Sequence, residues 1–350
     1  MKAEQEQYAW VHCIKAIAIT MVLILHVTAP YHYQLNELSL DRWRVVNMYE
    51  AVVRPCVPLF FMVSGFLLLR FDEPAVDFIV KRINRILMPL SFWTLAYVLW
   101  KVYYGGQRYV DFGGVVQMLF FPVSYHLWYL YAVIGCYCFL PILRKFVVGG
   151  ETKLLAYFFG VWFFASALLP LLQKYFMLKN QIDFSFATGY IGYFVLGYLL
   201  GGRDYSKMHA VASVAVIFLT TAVTYYATEV LTVRNSGVLV GDFTAVMSPS
   251  VIVASAAWFV LIRYLSCFAG FESARSKAFF ISVSKASFGI YLIHVMFLDL
   301  AVAFYDKYLL DEFSDLIFVI PMLSFVVFIV SYGVVLLAGR VRVLRKVVGR

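Results

Sequence analysis

Ten apolar runs of about 20 residues fill most of this 350-residue chain. That is the length an α-helix needs to cross the roughly 30 Å hydrocarbon core of a bilayer. The runs fall at roughly 11–30, 51–70, 86–104, 126–143, 154–172, 187–202, 208–228, 245–266, 284–305 and 316–338. Leu87–Trp100 carries no charge at all, whereas the fourth, sixth and ninth runs are interrupted by His, Gly or Ser. Composition excludes a soluble alternative: hydrophobic residues make up 63% and charged residues only 14%, against roughly 25% charged in soluble domains. Too few charges remain to cover a water-facing surface. The expectation is an all-α, polytopic transmembrane helix bundle of about ten helices.

The short loops set the orientation. With an even number of spans and both termini cytoplasmic, 19 Lys and Arg lie inside and 9 outside, Lys15 in the first span completing the 29. The imbalance favours cytoplasmic termini. The net charge of +9 is then a topology signal with some attraction to anionic membrane lipids, not a sign of nucleic-acid binding. Cys13, Cys56, Cys136 and Cys138 fall in the spans and Cys267 at the edge of one, which implies no disulfide framework. Polar residues up to Tyr8 lead straight into a full-length span with no cleavage-like site, so no signal peptide is expected. The longest polar stretches, Tyr31–Glu50, Tyr103–Tyr125, Lys174–Phe186 and Glu229–Phe243, are expected to face outward. They leave room for one membrane domain over 1–350, with its core at 8–339 and a basic cytoplasmic tail at 340–350. No internal repeat is apparent, which weakens a transporter built on repeated halves.

Ionisable groups within a bilayer are costly, so each is a candidate for function. Lys15 and His26 in the first span are eleven residues apart. At about 100° and 1.5 Å per residue they fall within about 20° of one face and about 16 Å apart along the axis. A snorkelling lysine and a histidine bonded to a neighbouring helix would also explain them. His126 opens the fourth span in Tyr125-His126-Leu127-Trp128-Tyr129, where an interfacial aromatic belt is the alternative. His294 lies mid-span, and Ser287, Tyr291 and His294 share one helical face. Arg54, beside Pro55 and Pro58, lies at the depth of His26 and suits an anionic or hydroxyl-rich ligand, or an oxyanion. Glu50 and Asp299 stand at similar depth, where ordinary interface charges are found. At the other end Arg70, Lys81, Arg82, Arg85 and Lys285 cluster. Arg82 and Arg85, three apart, can grip one phosphate together, although the positive-inside rule alone also accounts for them. Gly189, Gly192 and Gly197 fit close helix packing, since no strand precedes them to make a nucleotide loop. The chain has no P-loop and no zinc spacing, so no metal is expected.

Taken in order, these residues resemble the membrane acyltransferase-three family of bacterial integral-membrane O-acyltransferases. The resemblance runs from about Tyr8 to Gly339. It rests on Lys15 and His26 with their ten-residue spacer, Val57–Gly65, Arg82-Ile83-Asn84-Arg85 with Pro89, His126–Tyr129 and Ser287–His294. Lysine stands at position 15 where the family usually has arginine, keeping charge but losing bidentate bonding. The chain looks most like the short type without an appended esterase-like domain, as in the O-acetyltransferase of enterobacterial common antigen.

The resemblance implies a multi-pass protein of the bacterial inner membrane. It would transfer an acyl group, usually acetyl, from cytoplasmic acyl-CoA to a hydroxyl of a surface or lipid-linked glycan. Lys15, Arg82 and Arg85 are then the expected acetyl-CoA-binding residues. His26, Arg54, His294 and Tyr291 form the expected catalytic group, with His26 as general base because imidazole titrates near neutrality. His126, Trp128 and Glu50 are the expected acceptor-binding side chains. Three alternatives stay open: a flippase for a lipid-linked glycan, the same enzyme working with succinyl-CoA, and transfer through a covalent acyl-enzyme on His or Ser in place of direct transfer.

Overall fold

The structure, a computed structural model, describes residues 8–71, 73–106, 121–177, 189–267, 273–308 and 315–349. Lys2, Arg108, Lys179 and Arg350 of the basic set lie outside the described residues. So do parts of the Tyr103–Tyr125 and Lys174–Phe186 stretches and the first residues of the sixth span.

Every apolar run becomes a helix, and the described residues contain no strand. This is the expected outcome for a backbone that must satisfy its own hydrogen bonds in lipid. In chain order the helices are α1 Ala9–His32, α2 Leu40–Val53, α3 Cys56–Leu68, α4 Ala75–Tyr103 and α5 Trp128–Val148. They continue with α6 Thr152–Phe163, α7 Leu169–Phe176, α8 Ile191–Gly201, α9 Lys207–Arg234 and α10 Pro249–Leu265. Last come α11 Ala274–Tyr308, α12 Leu316–Ala338 and a short α13, Arg342–Val347. Counting α2–α3 and α6–α7 as single units, eight segments among the described residues are long and apolar enough to cross a membrane, and α8 and α10 are shorter apolar helices. At 1.5 Å per residue, the eleven residues of α8 rise only about 16 Å, half a bilayer core.

The second span starts earlier than hydropathy suggests. Residues 40–50, expected in an outward polar stretch, form most of α2. Ser39 caps its first turn by accepting from the Arg42 N–H, and Trp43, Val46, Asn47 and Glu50 are buried against the bundle. Hydropathy misses this because α2 hides its polar groups against other polar groups. Asn47, for example, donates to the Tyr225 carbonyl at 3.0 Å. Pro55, without an N–H, separates α2 from α3 and leaves Arg54 at the joint.

Helix α1 is the axis of the fold, packing against α2, α3, α10, α11 and α12. It is apolar around most of its circumference, as a helix buried on all sides must be. The tightest seam joins α3 to α8. A Cβ on Gly65 would collide with the Phe194 backbone, and one on Gly197 with the Met62 backbone. Glycine at these positions lets the two helices touch main chain to main chain. Gly192 likewise leaves room for the Trp162 indole. Gly189 serves differently, since with φ +89° it makes a left-handed turn before α8.

Candidate active site

One end of the bundle is basic and hollow. A cavity of about 500 Å³ begins among Glu73, Lys81, Arg82 and Arg85 and runs inward between five helices, within the usual range for ligand pockets. Each wall is a helical stripe. Helix α5 contributes Tyr129, Val133 and Tyr137, one turn apart; α3 contributes Val57, Phe60, Ser64 and Leu67. From α11 come Ser287, Phe288 and Tyr291, and from α1 come Lys15 and Val22. Arg70 and Lys285, expected in the cationic group, do not line it. Arg70 instead donates to the Tyr8 hydroxyl at 3.1 Å and lies over the Phe66 ring.

The basic tail takes part in this cavity. Helix α13 returns against α4, where Trp93 donates its indole N–H to the Val347 carbonyl at 3.0 Å. Val347 and Val348 are buried, and Gly349, at φ +70°, reaches the cavity wall beside Phe288. In sequence the tail looks like a solvated stop signal, because its cationic residues mask two buried valines.

Beyond the inner end of the cavity lie three histidines. His26 Nδ1 and His294 Nε2 are 2.5 Å apart. Their rings are coplanar to 6° with centroids 4.8 Å apart, which is an in-line nitrogen-to-nitrogen hydrogen bond and not a face-to-face stack. His294 Nδ1 lies 2.7 Å from the Tyr291 carbonyl. A carbonyl oxygen only accepts, so Nδ1 of His294 carries a proton. In the neutral ring its Nε2 is then the acceptor, and the shared proton sits on His26 Nδ1. This leaves His26 Nε2 with a lone pair, the tautomer a base requires.

His126 stands edge-on to both rings, its centroid 6.4 Å from His26 and 5.2 Å from His294, and its Nδ1 meets Ser124 Oγ at 2.9 Å. The Tyr291 hydroxyl donates to the His126 carbonyl. Tyr291 therefore belongs both to the cavity wall and to the histidine cluster. Val22, the other residue at that end, is one turn before His26 on α1, and His26 itself is half-buried and does not line the cavity. Among the described residues no group of three or more His, Cys, Asp or Glu is placed to hold a metal.

Arg54 and Glu50 form an ion pair. Glu50 is fully buried, and its other oxygen accepts from the Thr28 hydroxyl at 2.6 Å. Through Glu50 and Thr28 the guanidinium is tied to α1 two residues past His26. Glu50 is thus neither an interface charge nor an open ligand contact; it is the counter-ion that fixes Arg54. Trp128 stands apart from the histidines, its ring contacts being with Tyr129 and Tyr190.

The family model described as "Acyltransferase domain" matches residues 8–338. The chain belongs to the membrane acyltransferase-three family. Comparison with curated proteins and with solved structures returns no match. The match spans nearly all of this acyltransferase, from the first turn of α1 to the end of α12, so the histidines and every cavity-lining residue except Gly349 lie within it. Of the other lining residues, Tyr129, Ser64 and Phe288 fall inside the motifs quoted above but with no role assigned to them, and Tyr137 and Glu73 fall outside every motif. The four-residue spacing of Tyr129, Val133 and Tyr137 on one face is the available signal, but abundant Tyr and Phe on lipid-facing stripes obscure it.

Proposed function

We propose that the protein is a membrane O-acyltransferase that carries an acyl group, acetyl in the first instance, from acyl-CoA to a hydroxyl of a surface or lipid-linked carbohydrate. The observation that supports this most is the single cavity leading from Lys81, Arg82 and Arg85 to Tyr291, beneath the His26–His294 pair. The basic end faces the cytoplasm of a bacterial inner membrane, as the positive-inside bias requires. Arg82, Arg85 and Lys15 hold the phosphates of the donor. Its thin pantetheine arm follows the aromatic walls and brings the thioester up to Val22 and Tyr291.

His26 Nε2 takes the proton from the acceptor hydroxyl as that oxygen attacks the thioester carbonyl. The tetrahedral oxyanion lies within the field of Arg54, whose counter-ion Glu50 keeps it in place. Collapse breaks the carbon–sulfur bond, the proton leaves His26 for the CoA sulfur, and the ester and free CoA depart. His294, accepting from His26 Nδ1, sets the basic tautomer before the proton is taken and holds the ring in place while Nε2 carries it.

The test is acetyl transfer by purified protein in liposomes. His26→Ala is expected to lower turnover by about 10²–10⁴-fold while the protein inserts and elutes as wild type does. Undiminished transfer by that variant overturns the reading.

A further inference from the structure

Past the histidines, away from Arg82, helices α4 and α11 bring together polar and aromatic groups that the donor cavity does not use. Trp100 donates its indole N–H to Asp299 Oδ2 at 2.9 Å. Among the described residues the second carboxylate oxygen has no donor. Tyr104, one turn on from Trp100, lies parallel to it, with centroids 4.8 Å and planes 15° apart. Its hydroxyl donates to the Asp299 carbonyl at 3.4 Å. Lys101 is near enough for its charge to act on both Asp299 and His126. Tyr125, 54% exposed, stands edge-on to the His26 ring at 5.2 Å. Tyr125 and Asp299 therefore flank the same histidine cluster: Tyr125 stands against His26, and Asp299 lies five residues past His294 on α11 with Trp100 bonded to it.

An interfacial belt would account for exposed tyrosines and tryptophans, but belt residues point their polar tips at headgroups. Here the Trp100 indole N–H is turned onto a carboxylate of the next helix. An aspartate in an apolar helix is costly unless something uses it. The set is chemically specific. A flat aromatic face with a negative quadrupole suits the C–H face of a sugar ring. A carboxylate oxygen and an ammonium accept from and donate to hydroxyls on either side of it.

We propose that Trp100, Lys101, Tyr104, Tyr125 and Asp299 form the acceptor subsite and bind a hexopyranose. One ring face lies on Tyr125 and one hydroxyl on Asp299, while the reacting hydroxyl meets His26 Nε2. This rests on the carbohydrate reading above and extends it to residues outside every motif.

The experiment measures acetyl transfer from labelled acetyl-CoA to p-nitrophenyl glucoside, galactoside and N-acetylglucosaminide, using purified protein in liposomes. Asp299→Asn and Tyr125→Leu are expected to raise the acceptor KM by about tenfold, as losing a charged or well-packed contact does. The KM for acetyl-CoA should move by less than about twofold. Should either variant fail to insert, Trp100→Phe keeps an aromatic ring but removes the indole N–H that holds Asp299, and an acceptor KM raised by about threefold or more serves the same purpose. An unchanged acceptor KM in folded variants overturns the subsite alone, as does a donor KM that rises in step. Wild-type protein that esterifies none of the glycosides overturns the carbohydrate reading beneath it.

Discussion

His26 Nδ1 and His294 Nε2 meet at 2.5 Å, and the Tyr291 carbonyl on the far side of His294 dictates which nitrogen holds the proton. The order carbonyl, imidazole, imidazole does for His26 what a carboxylate does in a Ser-His-Asp triad, without placing a second charge in an apolar interior. A backbone carbonyl cannot be mutated away, but His294 can. His294→Ala is expected to lower kcat by about 10²-fold or more, with the KM for acyl-CoA little changed. His294→Gln, whose amide oxygen reaches the position of Nε2, still presents an acceptor to His26 Nδ1 and should recover part of the loss. Equal rates in wild type and His294→Ala, from steady-state kinetics in liposomes, would remove His294 from the relay.

Glu73 sits in the mouth of the donor cavity, where Lys81 bonds to it at 3.0 Å. That hydrogen bond holds the Glu73 carboxyl below its ordinary value against a slight upward push from burial, and the charges of Arg82 and Arg144 add to it. A carboxyl lowered in this way keeps its ion pair above the ordinary carboxylate value and loses it only as pH falls through the lowered one. Between about pH 6 and 8 Glu73 therefore stays ionised and competes with the donor phosphates for Lys81. Glu73→Gln is expected to reduce the KM for acyl-CoA by about twofold to fivefold, the range of a solvent-exposed pair. The ratio to wild type should stay flat across that pH range. A ratio that swings with pH, or a KM that rises, contradicts the competition.

Much of this architecture is legible in the residues, and the failures have physical causes. Long apolar runs mark the helices because lipid imposes a length. Lys15, Arg82 and Arg85 stand out because charge near an apolar segment is rare, and the cavity does gather them. His26 and His294 can each be picked out, but their contact cannot: 268 residues separate them, and only packing of α11 on α1 closes the distance. Glu50 misleads for the opposite reason. A carboxylate at the depth of the outer interface looks solvated in sequence, while the fold buries it under Arg54 and Thr28. The inward return of Val347–Gly349 has no signal beyond two valines and a glycine among basic residues.

The α3–α8 seam predicts its own sensitivity. Gly197→Val drives a side chain into the Met62 backbone, and overpacking costs about 1–3 kcal/mol where neighbours can shift, more where the obstacle is main chain. Gly202, exposed at the end of α8, has no atom within 4 Å of an added Cβ. Gly197→Val should lower the thermal midpoint of the detergent-solubilised protein by several degrees, and Gly202→Ala should leave it within about a degree. If both behave alike, the two helices do not meet main chain to main chain.

Val22 bears on acyl-chain choice. It lies on α1 one turn before His26 and, with Tyr291, lines the end of the cavity nearest the histidines. Tyr291 is fixed there by its bond to the His126 carbonyl, so Val22 is the adjustable part of that end. Under the proposed donor path, the acyl group rests against its methyls. Val22→Ala removes two carbons there, and each methylene accommodated in an apolar pocket is worth roughly 1–3 kcal/mol, about 10–200-fold in specificity. The variant should therefore use butyryl-CoA at least about tenfold better relative to acetyl-CoA than wild type does. Val22→Phe should shift the preference the other way and slow even acetyl transfer. The comparison is a ratio of kcat/KM values measured on one preparation, so partial misfolding cancels. If the ratio is the same in all three proteins, the acyl group does not rest against Val22, and the donor follows some other route to His26.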